Sequence, residues 1–66
     1  MGDLILNTNI YSDAAIQVAI DAYKELATIS IDKQENYICL SFHECKFDVH
    51  LTVKEFENYV IGLENS

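Results

Sequence analysis

The sequence predicts an α+β fold, a two-layer sandwich in the order β-α-β-β-β-α whose mostly antiparallel sheet carries two helices on one face. Three observations predict it. The hydrophobic period changes from two to 3.6 near residue 12, returns to two near residue 28, and changes back near residue 52. Two helix starts are marked by capping residues, Ser12 and Thr52. The chain has 66 residues, no proline and two glycines, Gly2 and Gly62, so residues 1–66 form a single α+β domain without a linker or a repeat.

Leu4 to Ile10 reads as the first strand, with Leu4 and Leu6 inward. Ser12 then supplies an N-cap, Asp13 sits at the positive end of the helix, and Tyr11 and Ile16 occupy the two staple positions. The spacing predicts a helix over Asp13–Leu26, with an apolar stripe of Ile16, Ala19, Ile20, Tyr23 and Leu26. From Thr28 the alternation of Ile29 and Ile31, a turn over residues 33–36, and the alternation of Ile38, Leu40 and Phe42 give a hairpin.

A second alternation, Phe47, Val49 and Leu51, predicts a fourth strand. Matching apolar faces pairs Phe42 with Phe47, Leu40 with Val49 and Ile38 with Leu51, because a one-residue slip would turn one set to water. Thr52-Val53-Lys54-Glu55 reads as a capping box that opens the last helix at Val53, with Phe56, Val60 and Leu63 buried. Gly62 either ends this helix or sits inside it. Periodicity leaves open whether the first strand lies beside the second or the fourth.

Composition excludes several functions. Eleven acidic residues against four lysines and no arginine give a formal charge of −7, and the lysines are scattered singly. Nucleic acid is therefore not an expected partner, since phosphate binding needs clustered cations. An anionic membrane surface is disfavoured by the same repulsion. Acidic residues interrupt each apolar stretch before it reaches the ~20 residues of a membrane span. No basic leader begins the chain, so the expected location is cytoplasmic. There Cys39 and Cys45 stay reduced, and six residues apart across a tight hairpin their side chains diverge.

The expected register puts Cys39 opposite His50 and Ser41 opposite Asp48 on the sheet face away from the helices. Cys39, His43, Cys45 and His50 are metal-ligand types, but their spacing matches no zinc pattern, and the hairpin tip lies several residues from Cys39 and His50. A Cys39–His50 nucleophile pair would also need an oxyanion donor, an orienting group and a cleft. Neither an enzyme nor a bound cofactor or metal is expected. The outer face, with Ile5, Tyr37, Cys39, Ser41, Asp48 and His50, is instead the expected protein-binding surface, and Tyr37 its first anchor.

Two segments carry a family resemblance. Tyr11-Ser12-Asp13-Ala14-Ala15-Ile16, with Ala19 and Tyr23 downstream, and Leu51-Thr52 with Glu55-Phe56-Glu57-Asn58-Tyr59-Val60-Ile61, resemble the small His-Xaa-Ser system HxsD family. The resemblance implies an accessory protein of radical SAM peptide maturation, partnered by a precursor peptide, a radical SAM enzyme, or both. The iron–sulfur cluster and S-adenosylmethionine would belong to the enzyme, because this chain has no Cys-x3-Cys-x2-Cys run. A sheet edge that accepts a peptide strand, or the outer sheet face, would make the contact. The competing expectation is a structural homo-oligomer, such as a homodimer, formed through the same outer face.

Overall fold

The computed structural model describes residues 2–65. It is an α+β fold built from β1 (Gly2–Asn7), α1 (Asp13–Tyr23), β2 (Thr28–Lys33), β3 (Tyr37–His43) and α2 (Val49–Glu64). The strands form an antiparallel sheet in the order β1-β3-β2. β1 and β2 therefore run in the same direction on either side of β3, and α1 carries the chain across the layer between them. This is a split β-α-β arrangement.

Each local element follows from its residues. The Ser12 hydroxyl accepts the Ala15 N–H at 3.1 Å and caps α1 as the sequence predicts. Asp13 occupies the first turn. α1 ends at Tyr23, a turn earlier than its apolar stripe suggested, and the N–H groups of Leu26 and Ala27 both bond to the Tyr23 carbonyl. The β2–β3 hairpin turns over residues 34–36, with the Gln34 N–H donating to the Tyr37 carbonyl at 2.8 Å. On β3 the alternation is strict: Ile38, Leu40 and Phe42 are buried while Cys39, Ser41 and His43 are half-exposed.

One expected element is absent among the described residues. Residues 46–51 do not form a fourth strand; α2 begins at Val49, one turn before the expected Val53. Asp48 is the N-cap and its carboxylate accepts the Leu51 N–H at 3.0 Å. Thr52 is not a cap: it lies inside the helix, buried, with its hydroxyl donating to the Asp48 carbonyl at 2.9 Å. The physical reason is that Val49 belongs to two patterns. It alternates with Phe47 and Leu51, but it also begins the stripe Val49, Val53, Phe56, Val60 and Leu63, all of which pack in or against the core. The longer stripe buries Phe56 and Val60 and packs Val49, Val53 and Leu63 against the core along one helix face, whereas Phe47 and Leu51 remain 62% and 53% exposed.

The place beside β3 that the sequence assigned to that strand is taken by β1, which pairs Gly2 with Phe42, Leu4 with Leu40 and Leu6 with Ile38. Both helices lie on the face of the sheet that these residues share. Phe56 of α2 sits at the centre of the contact, with its ring edge-on to Phe42 of β3 (centroids 5.2 Å apart) and to Tyr23 of α1 (5.4 Å). Tyr23 also meets Tyr59 at 5.7 Å. Burial pushes the Tyr23 phenol above its usual pKa, with the nearby Glu55 and Tyr59 adding to the shift. Leu6, Ile16, Ala19, Ala27, Ile38, Leu40 and Val60 complete the core. The helical layer thins towards β2, where Ile31 is on the inner face yet 39% exposed.

The two glycines have opposite roles. A Cβ on Gly2 would lie 2.8 Å from a methyl carbon of both Val49 and Val53, so the bare backbone of β1 is what lets α2 settle on the sheet. Gly62 is inside α2 with open space where its Cβ would be.

Two sets of substitutions test this packing by thermal or urea unfolding. Phe56→Ala should cost about 3–5 kcal/mol, whereas Phe47→Ser should cost less than about 1 kcal/mol because its ring is mostly in water. Equal costs would restore the strand reading of residues 46–51. Gly62→Ala should stabilise by about 0.5–1 kcal/mol through helix propensity, while Gly2→Ala should destabilise by about 1–3 kcal/mol through overpacking.

Candidate protein-binding surface

With both helices on one side, the other side of the sheet is not covered by any described element. Its geometry follows from register alone. Ile5 of β1, Cys39 of β3 and Asp32 of β2 form one row across the sheet; Asp3, Ser41 and Ser30 form the next. Tyr37 lies beside Asn7, and His43 beside Thr28, at the two ends of β3. Four of the six expected contact residues, Ile5, Tyr37, Cys39 and Ser41, are thus gathered on one face. Ile5 and Tyr37 are its large apolar members, 64% and 42% exposed, and they lie diagonally across neighbouring strands.

The other two expected residues are elsewhere. Asp48 caps α2 and His50 lies in that helix's first turn, exposed. The pairings of Cys39 with His50 and of Ser41 with Asp48 therefore do not occur, because both depended on the fourth strand. Cys39 instead faces Ile5 and Asp32 as its strand partners, and Ser41 faces Asp3 and Ser30. Cys39 and Cys45 are free thiols. Among the described residues no three His, Cys, Asp or Glu side chains group closely enough to hold a metal ion.

The face is electrostatically one-sided. Asp3 and Asp32 carry its charge, and among the described residues no lysine belongs to the outward positions of the three strands. Lys33, at the end of β2, instead reaches Asp13 at 3.1 Å, and Lys24 pairs with Asp21 at 3.3 Å on α1; both pairs are largely exposed. Ile5, Tyr37 and Cys39 thus lie on the same face as the carboxylates of Asp3 and Asp32.

Two open clefts lie at the ends of the sandwich. One, of about 430 Å³, is lined by Phe42, His43, Glu44, Cys45, Phe47 and Val49 where the β3–α2 connection leaves the sheet. Glu44 turns the chain there with a positive φ of 49°, in the left-handed region. The second, also about 430 Å³, is lined by Ile10, Tyr11, Ile61, Glu64 and Asn65. Beside it, one carboxylate oxygen of Glu64 accepts both the Ser12 N–H at 2.7 Å and the Ser12 hydroxyl at 2.6 Å, tying the start of α1 to the end of α2. These two bonds hold the Glu64 carboxyl below its ordinary pKa. No sequence signal announced this tie, since the partners are far apart in the chain.

Comparison with family models, with curated proteins and with solved structures finds no match for this chain. No helix among the described residues is long and apolar enough to cross a membrane.

The Glu64 tie predicts a pH dependence. Its folded pKa lies below the ordinary value of 4.5, so its contribution to stability is fully present above that value and is lost as pH falls through the depressed pKa. Glu64→Gln should therefore lower the melting temperature at neutral pH, and the gap to the parent protein should close on acidification. A gap that is constant across this range would remove the carboxylate from the account.

Proposed function

We propose that this protein is a non-catalytic accessory protein that binds a precursor peptide, a radical SAM maturation enzyme, or both. The observation that carries the reading is the uncovered sheet face, where Ile5 and Tyr37 expose apolar area beside Cys39 and Ser41 on a surface the fold does not need for its own core. The resemblance of the Tyr11–Ile16 and Leu51–Ile61 segments to the HxsD family supports the partner class. The acidic edging supports a partner segment with positive charge. No nucleic-acid or membrane role fits a chain with a formal charge of −7.

In this reading the protein supplies a rigid platform and the partner supplies the chemistry. Tyr37 is the anchor: its ring offers apolar area and its hydroxyl a hydrogen bond at low entropic cost. Ile5 and Cys39 extend the apolar strip, and Ser41 adds a hydroxyl in the next row.

Co-purification with a radical SAM enzyme and its precursor peptide tests the reading. The parent protein should bind at least one of them, Tyr37→Ala should weaken binding by about 2 kcal/mol, or roughly thirtyfold, and Gln17→Ala on the exposed side of α1 should leave it unchanged. If neither component binds the parent protein at micromolar concentration, the accessory reading fails.

A further inference from the structure

The edge of β1 that faces away from β3 presents a defined set of backbone groups. The Thr8 N–H donates to the Asn36 carbonyl at 3.0 Å and the Gln34 N–H to the Tyr37 carbonyl at 2.8 Å. Antiparallel ladders alternate, so extending these two bonds through the observed registers directs Gly2, Leu4 and Leu6 towards β3. Asp3, Ile5 and Asn7 then point their backbone groups away from β3, to the edge that no described strand covers. The Asn7 carbonyl is already engaged by the N–H groups of Ile10 and Tyr11, leaving its N–H at the edge.

We propose that β1 pairs antiparallel with β1 of a second copy across a two-fold axis at Ile5, joining two three-stranded sheets into one continuous sheet. This register sets Ile5 against Ile5, Leu4 against Leu6, and Asp3 against Asn7, each with its counterpart from the other copy. The last pairing is chemically complementary. The Asn7 side-chain oxygen accepts the Asn9 N–H at 2.8 Å, which orients the amide and leaves its NH2 group free to donate to the opposing Asp3 carboxylate. About four backbone hydrogen bonds form, since the Asn7 carbonyl is occupied.

Other registers that keep both apolar faces aligned are poorer. Centring on Leu4 sets Asp3 against Ile5, and centring on Asp3 opposes two carboxylates. Centring on Leu6 or Asn7 runs past Asn7 into the turn. The β2 edge is worse suited, because its outward backbone groups belong to Ile29, Ile31 and Lys33, and a symmetric pairing there sets the lysine against Ile29. Lysine on an edge is a common guard against such pairing, and β1 has none.

This inference goes beyond the binding reading and stands apart from it: a dimer that binds no partner would refute that reading alone, and a monomer that binds one would refute only the dimer. Its test combines mass with edge-specific hydrogen exchange. Light scattering should give twice the 7.5 kDa chain mass at tens to hundreds of micromolar. The Ile5 and Asn7 amides should exchange about tenfold or more slowly than the Ile29 and Ile31 amides, and should lose that protection on dilution.

Ile5→Lys, on the exposed outer face, should yield a monomer that melts like the parent protein diluted below the dissociation of the dimer, and lower than the parent at dimer-forming concentrations. Asn7→Asp should weaken the dimer at neutral pH by opposing two carboxylates, and adding Asp3→Asn should restore it. A monomer at all these concentrations would overturn the proposal. So would a dimer with an unprotected Ile5 amide, which would mean face-to-face stacking, or an Ile5 amide protected only when a peptide is added.

Discussion

The Phe56 ring is the contact on which the rest of the structure depends. It touches Phe42 of the central strand and Tyr23 of the first helix, so one side chain joins the sheet and both helices. In so short a chain the core is one layer deep, and few residues can connect three elements at once. Burying this ring requires α2 to lie close to the sheet, and that approach requires a glycine at position 2, where Val49 and Val53 occupy the space a side chain would fill. The aromatic contact and the bare backbone are therefore two halves of one constraint.

That constraint explains where sequence reading succeeds and where it stops. The Ser12 cap, the hairpin around residues 34–36 and the inward set Ile38, Leu40 and Phe42 were legible because each depends on residues close in sequence. The 46–51 segment was misread because its short alternation hides a helical stripe that starts at Val49 and continues well beyond it. Position 48 held the deciding signal: an aspartate whose carboxylate reaches the N–H three residues on is as good a helix start as Thr52. The seat of β1 was not legible, since strand order is set by contacts between distant segments, and the alternation of Phe47, Val49 and Leu51 offers a competing strand for the place beside β3.

The outer face shows the same division. Ile5, Tyr37, Cys39 and Ser41 were placed on it correctly because strand parity fixes the face of a side chain whichever strand lies alongside. Asp48 and His50 were misplaced because their parity belonged to a strand that is a helix. What remains is a three-stranded face rather than a four-stranded one, with aspartates and no lysine among its described members. Loss of His50 from the face also removes the Cys39–His50 pair on which a nucleophilic site would have rested.

The make-up of the outer face requires β1, and not residues 46–51, to lie beside β3. Nuclear Overhauser contacts measure this directly. Ile5 and Cys39 face each other as a non-hydrogen-bonded pair, in which the two Hα atoms approach closely, so a strong Hα–Hα contact between them is expected, together with helical carbon shifts from Val49 onward. Extended shifts over residues 46–51, with cross-strand contacts from Val49 to Leu40, would contradict the account.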